Sequence, residues 1–193
     1  MMRKCALPAV LAALLGVGLT GCGGPYSSPE ASFQTYRDAV AKKDWKSAMT
    51  ALTPESSDKV VGGLMAIAAL ASVANQDAAA MLQRHGLNGK EMVGQVAAAA
   101  LLNPAGAADA IGEAVKQYTG VIADKPAFVC DAVTWLEQNN KEAENKLAQA
   151  ATAELSNVQV SGDTATGQLS VPIGGSDTSI RFRKIEGRWL IDL

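Results

Sequence analysis

The chain has one histidine, no excess of basic residues and no apolar run long enough to cross a bilayer, and each absence closes a route to function. Metal sites of the zinc type draw three or four ligands from His, Cys and acidic groups at short, recognisable spacings. With His85 alone and three cysteines, no such spacing occurs, so no metal is expected. Lys and Arg number 17 against 19 Asp and Glu, giving a net charge of −2. A mildly acidic chain is a poor binder of polyanions, which argues against nucleic acid as a partner. No residue pattern calls for a cofactor. A 34-residue helical repeat is also missing: "AKKDWKSAM" is locally like a tetratricopeptide helix, but no second copy follows.

What is present begins at the amino end. Arg3 and Lys4 precede "CALPAVLAALLGVGL", an apolar run without an acidic residue, and small residues follow. A basic head, an apolar segment and a small-residue exit make a secretory signal. A bilayer-spanning helix needs roughly 20 apolar residues, and this run falls short. "GVGLTG", Gly16 to Gly21, matches the dinucleotide pattern G-x-G-x-x-G, but that pattern carries meaning only between a strand and a helix. In a discarded leader it carries none.

The exit, Leu19-Thr20-Gly21-Cys22, resembles the lipobox of bacterial lipoproteins. That resemblance implies a diacylglyceryl group on the Cys22 sulfur and cleavage just before it. It divides the chain into a signal peptide over 1–21, a lipidated tether over 22–28 and one domain over 29–193. The implied partner is a membrane, reached through the lipid at Cys22. Gly23 is not the aspartate of an inner-membrane retention signal, so the expected location is the cell envelope, with the outer membrane facing the periplasm favoured. Cys5 is lost with the leader and Cys22 becomes a thioether. Cys130 is then a thiol with no internal disulfide partner, either packed against a neighbouring element or able to bridge two molecules.

Roughly 170 residues remain after cleavage, enough for one domain with a real core. Ser28-Pro29-Glu30 and Thr53-Pro54-Glu55 are helix starts: a capping hydroxyl, proline at the first helical position, an acid in the first turn. Trp45, Ala48, Met49 and Leu52 recur at helical spacing. "VVGGLMAIAALASVA", Val60 to Ala74, is apolar all round, which predicts a buried or pocket-lining helix. Gly86 is a C-cap candidate. Further helices are expected over Lys90–Leu102 and Ala105–Tyr118, and a long one from Asp124 to about Ala150. After Asn157 the period changes to two. Gly162-Asp163, Gly174 to Asp177 and Glu186-Gly187 supply turns, and the pattern predicts an antiparallel meander of about four strands with one covered face. Helices then strands in blocks give an α+β fold, with N-terminal helices packed on a C-terminal meander and an enlarged helical middle.

"SPEASFQTYRDAVAKKDWKSAMTALTPES" at one end, with "GDTATGQLSV" and "IRFRKIEGRWLIDL" at the other, resembles exported proteins of the nuclear transport factor 2-like superfamily. The resemblance implies a curved sheet wrapped around a helical layer, with a conical pocket. It supplies no catalytic residue, because the acid/base groups of the enzymatic members match no position here. The all-helical middle, residues 60 to 120, departs from the family pattern.

Three local groupings remain. Ser56-x-x-Lys59 matches the S-x-x-K of penicillin-binding enzymes, but the companion K-T-G and S-D-N are absent, and it reads as a polar first turn. His85 reads as a solvated residue at a helix end, helped there by the helix dipole. Arg181, Arg183 and Arg188 gather on the final hairpin, either as a solvated face or as a contact for an anion such as a lipid headgroup or cell-wall carboxylate. The expected function is a membrane-anchored envelope protein with a non-catalytic binding or scaffolding domain for a small molecule or an envelope protein. The alternatives are an isomerase- or dehydratase-like pocket enzyme and a helical protein-interaction module.

Overall fold

Capping decides where the helices begin. In the computed structural model, which describes residues 24–102, 107–173 and 177–193, a side chain closes the first turn of seven of the eight helices found there. Ser28 accepts from the Ala31 amide at the head of α1 (Pro29–Ala41). Asp44 does the same for Ser47 in α2 (Trp45–Thr50), and Thr53 for Ser56 in α3 (Pro54–Ser72). Asn75 heads α4 (Gln76–Arg84), Asp124 heads α7 (Lys125–Asn139) and Asn140 heads α8 (Lys141–Thr152). Asn88 accepts from the Glu91 amide at the head of α5 (Gly89–Leu102), and α6 (Ala107–Val121) follows it. Each cap replaces a backbone partner that the helix itself cannot supply.

Two sequence expectations change here. The long helix expected from Asp124 to Ala150 is two helices. Asn140 leaves the helical region, with φ −145° and ψ 103°, and its side chain accepts from Glu142 and Ala143 to start the next one. His85 is not solvated. Its side chain is 12 % exposed, Nε2 lies 3.1 Å from Asp131 Oδ2, and its ring meets Phe128 edge-on.

The carboxyl-terminal fifth is a four-stranded antiparallel meander in sequential order: β1 (Leu155–Ser161), β2 (Thr164–Leu169), β3 (Ser179–Ile185) and β4 (Arg188–Asp192). The fold is α+β, as expected. Alternation sets the faces: Ala165, Leu169, Ile180 and Phe182 are buried while Thr164, Thr166 and Arg181 are not. β4 departs from the single covered face, since Leu190 is buried as well as Trp189 and Ile191. The edges are unlike. β4 is sealed by Ala51 to Thr53, which exchange hydrogen bonds with Ile191, and by Tyr26, whose carbonyl accepts from Trp189. β1 is almost wholly exposed and carries a bulge, with Asn157 at φ 53°. Such irregularity discourages pairing with other chains.

One core joins both halves. α1 packs on α2, α8, β1 and β4, while α7 reaches α2, α3, α4 and α8. Tyr36 of α1 is a partly buried member of this core, and desolvation pushes its phenol up to about 12. A tyrosine in an unfolded chain titrates near 10. Between pH 10 and 12 the unfolded chain gives up a proton that the folded chain keeps. The contribution is therefore intact below pH 10 and is lost as pH rises toward 12, by about 2–3 kcal/mol. Urea midpoints at pH 9 and pH 11.5 should fall further apart in the native protein than in Tyr36→Phe.

Candidate functional site

Cys22 and the signal peptide expected over 1–21 lie outside the described residues. Gly24 to Ser28, the described part of the expected tether, packs on the domain. Besides the Tyr26 carbonyl bond to β4, the Arg188 guanidinium lies 4.2 Å from the Tyr26 ring centroid. That contact occupies one of the three arginines of the final hairpin. A second, Arg183, pairs with Glu55 at 2.7 Å and stands 3.7 Å from Asp192. Arg181 is exposed and takes part in none of the ion pairs found among the described residues. Cys130 is half-buried on α7 and packs against the core.

The S-x-x-K spacing serves the fold. Ser56 is fully buried; its Oγ accepts from the Thr53 hydroxyl at 2.7 Å and from the Leu193 amide at 2.8 Å. Lys59 Nζ donates to the Leu193 carbonyl oxygen. The pair thus clamps the end of β4 to the first turn of α3, and the lysine is directed at main chain, away from the serine hydroxyl.

Among the described residues, two concavities are large enough to receive a ligand. The larger, about 620 Å³, is a shallow hollow on the sheet beside the β1 bulge, lined by neutral polar groups such as Asn157, Gln159, Thr166 and Gln168. Being open, it leaves any occupant in water, where such hydrogen bonds contribute little. The smaller, about 410 Å³, is a groove among α3, α5 and α6, and its accessible lining is almost entirely carbon. It therefore has the desolvating wall that ligand sites use.

The groove follows from an excess of apolar residues. A surface helix needs one apolar stripe. α3 has more: Val61, Met65, Ala68, Ala69 and Ser72 are buried, while Ile67 and Leu70 remain 47 % and 66 % exposed. Met65, Ala66, Ala69 and Leu70 form one wall. Met92, Val93, Val96 and Ala97 of α5 form the second, and Ala114, Val115 and Tyr118 of α6 the third. Gly62 lets α3 and α6 approach, because a Cβ there would sit 2.5 Å from Val115 Cγ1. Alanines on every wall leave width that larger side chains would fill. Five of the six large apolar side chains found exposed among the described residues, Ile67, Leu70, Val73, Leu101 and Val121, belong to α3, α5, α6 or the residue capping α3.

Polar groups at the groove are few. The Tyr118 hydroxyl is buried and has no hydrogen-bond partner among the described residues. Burial first, and the Glu91 carboxylate second, push its phenol up, which keeps it a neutral donor. Among the described residues, no Lys, Arg, Asp or Glu lines the groove. Among the described residues no group of three His, Cys, Asp or Glu is placed to hold a metal ion, and no helix is long and apolar enough to cross a membrane. The sequence reading of Val60–Ala74 as a buried or pocket-lining helix fits α3, which forms one wall; the α5 and α6 walls were missed, although the alanine-rich α5 was their visible signal. No family model, no curated protein and no solved structure matches this chain.

Proposed function

We propose that the protein is an exported, lipid-anchored envelope protein whose folded domain binds an apolar ligand in the groove among α3, α5 and α6 and performs no chemistry on it. One observation carries the reading: a 410 Å³ recess with an almost entirely apolar lining, on helices that also bear most of the exposed large apolar side chains. Patches of that kind on a soluble domain mark binding surfaces. Catalysis asks for at least two convergent polar groups with matched proton affinities. The lining offers one phenol, held neutral. The lipobox-like Leu19-Thr20-Gly21-Cys22 supports the anchor, and Tyr26 pinned to β4 would hold the domain close to it.

The test is a titration with N-phenyl-1-naphthylamine, which fluoresces in apolar surroundings. The native protein should bind the probe saturably. Ala66→Trp, filling the groove from a half-exposed position on α3, should weaken binding at least tenfold with an unchanged thermal midpoint. Equal binding by both proteins would refute the groove as the site.

A further inference from the structure

We propose that the end of the domain carrying the β3–β4 turn rests on the zwitterionic headgroups of the anchoring membrane, held there by a strap, Gly24 to Ser28, docked on β4. The inference rests on the lipid anchor at Cys22 and adds the surface that meets the bilayer.

Contacts along its length fix the strap. The Tyr26 carbonyl accepts from the Trp189 amide at 2.9 Å, which satisfies an edge donor of β4. The Arg188 guanidinium lies 4.2 Å from the Tyr26 ring centroid, a cation–π contact. The Thr35 hydroxyl of α1 donates to the Pro25 carbonyl at 3.0 Å. The Ser27 amide donates to the Gly24 carbonyl at 3.0 Å and folds the strap into a turn.

Chain length sets the distance to the anchor. Tyr26 is four residues from Cys22, a span of at most about 14 Å at roughly 3.6 Å per residue. Acyl chains on the sulfur lie in hydrocarbon, so the sulfur stands at its boundary, and the headgroup layer beyond is roughly 5–7 Å deep. A tether free from Cys22 to Ser28 would reach about 22 Å. The docked strap leaves space for little more than headgroups between Tyr26 and the hydrocarbon.

The surface beside Tyr26 suits that depth. Lys184, Glu186 and Arg188 are exposed around the β3–β4 turn. Asp163, exposed on the neighbouring β1–β2 turn, accepts through its carbonyl from the Lys184 amide at 2.7 Å. The two cations are balanced by the two acids, so the surface offers partners to both the phosphate and the amine of a zwitterionic headgroup. Tyrosine, with an apolar ring and a polar tip, is a residue of that layer. α5 and α6 pack mainly against α3 and each other, apart from the strap.

The test uses the acylated full chain in phosphatidylcholine vesicles with a nitroxide on some headgroups. A bimane fluorophore is attached through Glu186→Cys at the turn or Lys116→Cys on α6, each with Cys130→Ser. The label at the turn should be quenched about threefold more than the label on α6, and adding phosphatidylglycerol should not change the ratio. Twelve Gly/Ser residues inserted after Gly23 add a coil of roughly 20 Å and should equalise the labels, with the protein still on the membrane. Tyr26→Ala combined with Thr35→Val, which loosens the strap, should narrow the difference; two routes guard against one misfolding. Equal quenching in the anchored parent, or more on α6, overturns the docking face while the anchor stands. A difference that survives the insertion overturns the strap as its cause. A difference seen only with phosphatidylglycerol overturns the zwitterionic contact. Cys22 found unmodified removes the anchor, and this proposal with it.

Discussion

Replacing Phe128 by alanine should cost about 3–5 kcal/mol of stability, the range for truncating a buried phenylalanine, and lower the melting midpoint by roughly 6–20 °C. Phe128 is 0 % exposed and sits where α4 meets α7. Its ring receives the His85 imidazole at 5.2 Å between centroids and 87° between planes. His85 in turn stands 3.1 Å from Asp131, one helical residue from Cys130, and Arg84 reaches the same carboxylate at 3.2 Å. Truncation therefore opens a cavity and also removes the wall against which the His85–Asp131 contact is held. Those neighbours stand on two helices of a continuous core, so the gap cannot close by moving one side chain. Leu101→Ala is the control: at 82 % exposure it should stay within about 0.5 kcal/mol of the parent. A loss under 1 kcal/mol at Phe128 in urea unfolding would contradict the packing described for α7.

The second large effect is expected at Cys22, in the segment outside the described residues. Under the proposed anchoring, Cys22→Ser should move the protein from the membrane fraction to the soluble fraction. Each buried methylene contributes about 0.8 kcal/mol, so one acyl chain holds marginally and two or three hold firmly. Serine offers no thioether, and with the lipid gone no part of the described domain replaces it: no described helix can cross a bilayer. The parent should carry a mass increment matching a diacylglyceryl group on Cys22, and the variant none. Parent protein found soluble with an unmodified Cys22 would reject the anchor. A variant that stays on the membrane would show that the apolar groove and its exposed rim suffice for attachment.

Much of the fold could be read from residue order because its determinants are local. Ser28, Thr53 and Asp124 cap the helices they precede, Pro29 and Pro54 stand at the helix starts, and Gly86 takes the left-handed φ of 76° past α4. Alternation along β2 and β3 and the turns at Gly162-Asp163 and Glu186-Gly187 place the hairpins. The break at Asn140 was legible too, as an asparagine ahead of an acid-rich turn, but the apolar arc of α7 masks it in a periodicity reading.

The misread groups are those whose partners are distant in sequence. His85 looked solvated at a helix end; its neighbours, Phe128 and Asp131, come from a helix more than forty residues on. Ser56-x-x-Lys59 looked like a polar first turn or a catalytic fragment; its partner is Leu193, 137 residues from Ser56. The hairpin arginines looked equivalent, yet Glu55 takes Arg183, Tyr26 takes Arg188 and Arg181 stays exposed.

Residue order by itself determined the element types, the α+β order and the meander, because caps, turns and periodicity act over a few residues. Only the tertiary structure decided which apolar faces were buried and which were left to line the groove. α3 presents apolar side chains on every side, and nothing local distinguishes Val61, pressed into the core, from Leu70, two-thirds exposed. Burial is set by the helices that arrive from elsewhere in the chain, and three helices meeting through small residues such as Gly62 and Ala66 do not fill the space between them.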